Sequence, residues 1–130
     1  MKKLLLSLLM ILCLVSYSNA ASILVDAGHT EENPGVISAR GNPELSFNIL
    51  TSMTLGKKLA NQGHTVYFVT NISLKDRVKV INELKPDLVI SIHHDSVQEK
   101  YLSKWIYNGK EYSYCDKFSG YSIFVSKKNK

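Results

Sequence analysis

The stretch LVISIHHD, residues 88–95, decides how the fold is read. Leu88 to Ile92 is a short run rich in β-branched residues, closed off in front by Pro86. Such a run describes a strand covered on both faces, as in the middle of a parallel sheet. It ends in two imidazoles and a carboxylate, groups that need solvent, hydrogen bonds or a metal.

Working outward, SILVDAG (22–28) is a second apolar run, closed by Gly28. A polar loop with Pro34, Gly35 and Gly41 follows. From Pro43 to Asn61, Leu45, Ile49, Leu50, Met53, Leu59 and Ala60 recur near helical spacing, and Gly63 ends the segment. HTVYFVT (64–70) is β-branched and aromatic, a strand. SLKDRVKVINELK (73–85) opens with Ser73 and Asp76, close to a capping box, and places Leu74, Val78, Ile81 and Leu84 on one face. Strand, helix, strand, helix, strand predicts an α/β domain: a mostly parallel sheet with helices on both faces. Residues 97–118 are polar and aromatic without clear period and read as a surface excursion. GYSIFVS (120–126) is expected to return as a fourth strand, with no helix after it to cover it.

The ends and the composition bound the rest. Lys2 and Lys3 precede an apolar run from Leu4 to Val15 and a Ser18-x-Ala20 site, the pattern of a secretory signal peptide over residues 1–20. The apolar run is short for a bilayer, so no stable membrane anchor is expected. Without that segment, residues 21–130 carry 14 basic and 11 acidic side chains, a mild excess of +3. That suits an anionic polymer such as a cell wall, and with no basic stripe it gives no support for nucleic-acid binding. Only Cys115 remains beyond residue 20, so neither an internal disulfide nor a cysteine-ligated zinc is expected there.

Ligands of open parallel sheets bind beyond the carboxyl ends of the strands. His29 follows the first strand, His93 ends the third, and Glu44 opens the first helix on that same edge. Two histidines and a carboxylate form a catalytic zinc set with a position left open. Each residue alone has a plainer role: a solvated loop imidazole, a first-turn carboxylate favoured by the helix dipole, a core imidazole bound to backbone. Convergence on one edge favours the metal, Zn2+. Strand alternation sends His93 and His94 to opposite faces, so His94 reads as a group at the pocket rim or one supporting the ligands from behind, and Asp95 as a group orienting an imidazole or capping a turn. His64, beside Gly63, reads as exposed structure.

The segments ILVDAGHT, NPG and ARGNPE, followed by DRV, IN, PDLVISIHHDSVQ and FSGYSIFVS, resemble the zinc-dependent N-acetylmuramoyl-L-alanine amidases of bacteria, the amidase_3 type. The likeness runs from about Ile23 to Lys127. It implies His29, Glu44 and His93 as zinc ligands and peptidoglycan as the partner, cut at the amide between N-acetylmuramic acid and L-alanine. The signal-peptide pattern of residues 1–20 predicts export, to the periplasm or to the extracellular space and cell wall. Thr30-Glu31-Glu32 stands where the family commonly has a glycine-rich stretch. The family carries a further helix and strand with a catalytic glutamate, so residues 21–130 are expected to form an incomplete domain with that C-terminal helix and strand missing. Glu31 and Glu32, near His29, are weak candidates for a substitute base. The alternatives are a non-catalytic zinc or wall-binding remnant of such an enzyme, and an unrelated exported binding domain with structural histidines.

Overall fold

The computed structural model describes residues 20–126, so the expected signal peptide lies, but for Ala20, outside the described residues. Strand β1 (Ser22–Ala27) is central, with β2 (Thr65–Val69) and β3 (Leu88–Ile92) parallel to it in the order β2-β1-β3. The register sets Asp26 beside Val69 on one side and Ser91 on the other. Flanked on both edges, β1 supplies most of the core: Ile23, Leu24, Val25 and Ala27 are buried, joined by Leu45 and Val69. At the start of the sheet, the Asp87 carboxylate accepts from both the N–H and the hydroxyl of Ser22 at 2.7 Å, tying β3 to β1. Those bonds hold the Asp87 carboxyl below its ordinary value.

Helix α1 (Glu44–Asn61) joins β1 to β2, and α2 (Leu74–Leu84) joins β2 to β3. The two connections run to opposite sides of β1, so right-handed crossovers place the helices on opposite faces. Side chains agree with this. A Cβ added to Gly56 of α1 would lie 3.5 Å from Val66, on the face that carries Ile23 and Val25. Arg77 of α2 instead reaches Asp26, which points the other way along β1, at 3.4 Å. Local signals set the helix ends. Ser73 accepts from the Asp76 N–H at 3.1 Å and donates its hydroxyl to the Asp76 carboxylate at 2.6 Å, as the capping pattern predicts. Lys85 closes α2 in the left-handed region at φ 46°, directly before Pro86.

Four expectations change. β3, read as a strand in the middle of the sheet and covered on both faces, stands at its edge among the described residues, with Leu88 and Val89 exposed; β1 takes the middle place. The face of α2 read as apolar core is largely uncovered among the described residues: Leu74, Val78 and Leu84 are exposed, and the buried residue of this helix is Arg77. An ion pair to the sheet, rather than the aliphatic stripe, orients the helix. Residues 97–118 are more ordered than an excursion. They hold a 3-10 turn (Glu99–Tyr101) and an antiparallel hairpin, β4 (Ser103–Tyr107) and β5 (Lys110–Tyr114). The signal was Asn108-Gly109, with φ of 50° and 74°, the pair of left-handed residues that a two-residue hairpin turn requires. Residues 120–126 form no strand, and Tyr121, Ile123, Phe124 and Val125 are 76–90% exposed. Alternation alone makes no strand; the backbone needs a partner ladder, and none is formed here among the described residues. None of the described helices is long and apolar enough to cross a membrane.

The position of the core generates a contrast between two aliphatic residues. Leu24→Ala is expected to lower the unfolding free energy by about 2–5 kcal/mol. Ile123→Ala is expected to change it by less than about 0.5 kcal/mol. Urea midpoints at unchanged m value measure both, and equal losses would contradict the burial described.

Candidate metal centre

Three segments deliver side chains to the carboxyl edge of the sheet. His29 is the second residue after β1, Glu44 the first residue of α1, and His93 the first residue after β3. One atom from each, an imidazole nitrogen or a carboxylate oxygen, lies within 4.8 Å of the others. His29 Nε2 stands 3.1 Å from Glu44 Oε1, and His93 Nδ1 stands 3.2 Å from the same oxygen. The two imidazoles meet edge to face, with centroids 4.9 Å apart. Glu44 is buried, His29 is 23% exposed and His93 46%, so the cluster opens to solvent on its histidine side.

The approach is close because two glycines allow it. A Cβ on Gly28 would fall 2.3 Å from the His93 ring, and one on Gly35 would fall 2.5 Å from Glu44 Oε2. Gly35 also sits at φ +78°. His29 itself occupies the left-handed region at φ 76°, a strained place for a histidine. Its backbone is held there by Arg77, whose guanidinium donates to the His29 carbonyl as well as to the Ile72 carbonyl, while pairing with Asp26. Asp26 in turn accepts from the Ser91 hydroxyl at 2.8 Å. A buried arginine and aspartate thus lock the loop that carries His29 onto the sheet.

Glu44 is anchored as firmly. Burial pushes its carboxyl up, but the His94 and Val36 N–H groups, the Asn48 amide and the nearby His29 together hold it below its ordinary value. Its Oε1 accepts from the His94 N–H at 2.8 Å and from Asn48 Nδ2 at 3.3 Å, and Oε2 accepts from the Val36 N–H at 3.3 Å. Asn48, one turn along α1 and fully buried, also donates to the Gly28 carbonyl at 3.2 Å. With its amide donating in both directions, Asn48 turns Oδ1 toward His94 Nδ1, 2.6 Å away. Neutral His94 therefore carries its proton on Nδ1 and a lone pair on Nε2.

The structure brings together His29, Glu44 and His93, as the strand-end positions predict. His94 stands behind the cluster, its N–H on Glu44 and its ring on Asn48, and does not turn to the face opposite His93, because β3 ends at Ile92 and strand alternation no longer governs residues 93 and 94. Asp95, Glu31 and Glu32 are exposed, and their side chains make no hydrogen bond or ion pair among the described residues. His64 is half-buried, its Nδ1 accepting from the Ala21 N–H at 3.2 Å, rather than exposed. Asn48, Arg77 and Asp26 escaped the sequence reading. Asn48 left one trace, its position four residues after Glu44 on the same helix face.

The family model described as "N-acetylmuramoyl-L-alanine amidase", Amidase_3, matches residues 23–130. A protein of Buchnera aphidicola subsp. Acyrthosiphon pisum named "Putative N-acetylmuramoyl-L-alanine amidase" is 33% identical over 91 residues, which are 66% of this chain and 38% of that protein. The crystal structure of an N-acetylmuramoyl-L-alanine amidase from Clostridium difficile 630 superposes with a TM-score of 0.56 at 28% identity, over 68% of this chain and 50% of the other. The catalytic domain of CwlV, an N-acetylmuramoyl-L-alanine amidase from Bacillus (Paenibacillus) polymyxa var. colistinus, gives 0.52 at 31% identity, over 59% and 46%. The chain thus spans half or less of the length of these relatives.

Asn48 offers a direct check of the network. Asn48→Ala leaves Gly28, Glu44 and His94 short of partners, and is expected to lower stability by about 1–3 kcal/mol. It is also expected to return the His94 ring nitrogens to a mixed tautomer, read from their 15N chemical shifts. Wild-type stability with an unchanged His94 tautomer would contradict the network.

Proposed function

The chain belongs to the Amidase_3 family of N-acetylmuramoyl-L-alanine amidases, and from that premise we propose that it hydrolyses the amide between N-acetylmuramic acid and L-alanine in bacterial peptidoglycan, with zinc held by His29, Glu44 and His93. The observation that carries this is the convergence of two imidazole nitrogens and one carboxylate oxygen, from three separate segments, within 4.8 Å.

The donors suit zinc by type, and the two spacings from Glu44 to the histidines suit it as well. Two ligands about 2.0–2.1 Å from a tetrahedral ion stand about 3.3 Å apart. Glu44 Oε1 lies 3.1 and 3.2 Å from the two imidazole nitrogens. A hydrogen-bonded cluster explains the crowding less well: Oε1 has four polar neighbours, two of them already donors from His94 and Asn48. When bound in such a site, zinc supplies Lewis acidity to a carbonyl and acidifies water. The chain's own residues do the positioning. Arg77 fixes the backbone at His29, and Asn48 with the His94 and Val36 N–H groups fixes the Glu44 carboxylate. The open histidine side leaves room for an amide to approach.

The same proposal treats residues 1–20 as an export signal and 21–130 as the amidase-like domain. It places the chain in the periplasm or cell wall, with peptidoglycan as its partner, no nucleic acid and no stable membrane anchor.

The test uses isolated peptidoglycan and the purified chain, with zinc and again after chelation. New L-alanine amino termini that appear with zinc and vanish on chelation are the expected result, and His93→Ala is expected to abolish them. Glu31→Gln and Glu32→Gln then show whether either carboxylate carries the proton; loss of a general base typically lowers the rate about 10²–10⁴-fold. A folded, zinc-loaded chain that releases nothing would overturn hydrolysis and leave the alternative, a zinc-bearing domain that binds the wall without cutting it.

A further inference from the structure

The aromatic face of the β4–β5 hairpin lies outside the metal cluster and is used by none of the chemistry above. Trp105 and Tyr107 alternate onto one face of β4, and the register places Tyr112 and Tyr114 opposite Trp105 and Ser103, on that same face. The other face carries Lys104, Ile106, Glu111 and Ser113, with a Lys104–Glu111 ion pair at 2.7 Å. Trp105 stacks on Tyr107, with centroids 5.3 Å apart and planes at 24°, and Tyr114 meets the indole edge-on at 6.5 Å. This face turns toward the 38–42 turn: a Cβ on Gly41 would lie 3.8 Å from the Tyr112 hydroxyl. Between them lies a cavity of about 340 Å³ lined by Ala39, Arg40, Trp105 and Tyr114. Arg40 is exposed and has no hydrogen-bond or ion-pair partner among the described residues.

We propose that Arg40, Trp105 and Tyr114 form a subsite for an acetamido-sugar ring of a glycan strand. The proposal rests on the peptidoglycan reading and names the part of that polymer held here. A pyranose offers a flat C–H face to an aromatic ring, and hydroxyl and acetamide oxygens to a guanidinium fork. The cavity matches a small-ligand site, about 300 Å³ or more, with a few polar groups among aromatic walls. A stem-peptide carboxylate would satisfy Arg40 but would leave the ring face without a role. The location suits a polymer that must also reach the metal centre. The turn bearing Arg40 leaves and returns through the Ile37–Pro43 bridge, directly before Glu44. Four residues of chain span at most about 14 Å, so a strand held at Arg40 passes near the cluster.

Trp105 is the single tryptophan of the chain, so its emission reports this subsite alone. The 130-residue chain, kept in chelator so that no hydrolysis intervenes, is titrated with the tetrasaccharide of N-acetylglucosamine and separately with the free stem peptide. A saturable change with the tetrasaccharide is expected, weakened about tenfold or more by Arg40→Ala, the loss of one hydrogen bond to a charged group. Tyr114→Ala is expected to weaken it as well, with circular dichroism showing each variant folded. No saturable change, a response to the stem peptide only, or equal affinity in Arg40→Ala would each overturn the subsite. The two proposals fail separately. A chain that binds the tetrasaccharide but releases no L-alanine refutes hydrolysis alone, and one that hydrolyses without an emission response refutes the subsite alone.

Discussion

A buried carboxylate at the head of a helix is the constraint around which this fold is arranged. Glu44 is 5% exposed, and an ion so far from water is costly unless it is met by donors. The donors come from every side: the loop before the helix through Val36, the helix itself through Asn48, and the end of β3 through His94. Meeting the needs of one side chain therefore joins α1, the 34–36 loop and the sheet edge. The imidazoles of His29 and His93 close the remaining side. The same contacts that make burial tolerable hold three donor atoms in the compact array that a metal ion would occupy.

A second buried charge supports the first from the other face of the sheet. Arg77 and Asp26 are both about nine-tenths buried or more, and their pairing places α2 and the His29 carbonyl on β1. Breaking one partner of such a pair leaves a stranded charge, so the clamp is hard to remodel. Its consequence is the left-handed backbone at His29, which directs that imidazole toward Glu44. Gly28 and Gly35 remove the Cβ atoms that would otherwise stand between the three segments. Helix order, strand order and small residues thus serve one geometry.

What the chain disclosed in advance follows from whether a signal is local. Strand ends rich in histidine, a helix opening on glutamate and the Ser73–Asp76 cap are local, and the structure has each of them where the spacing puts it. The Asn108-Gly109 turn was equally local and was passed over amid tyrosines and lysines, so the hairpin went unread. The pairing of Asp26 with Arg77 was out of reach, since 51 positions separate them and neither ILVDAGHT nor DRV says that the two segments touch. The aliphatic stripe of α2 is local as well, yet the buried side chain of that helix is Arg77, whose partner Asp26 lies far away in sequence. Strand alternation, carried past the end of β3, set His94 on the face opposite His93, whereas a place behind the ligands is where its contacts put it.

Metal binding itself is the claim on which the rest stands, and it can be measured without any substrate. Metal-stripped chain is titrated with zinc against a chromophoric chelator, alongside His29→Ala, Glu44→Ala, His93→Ala and His64→Ala. One tightly bound equivalent is expected, weakened at least about tenfold by each of the first three changes and untouched by His64→Ala. A folded chain that takes up no zinc, or one in which loss of His64 matters as much as loss of His93, would contradict the site.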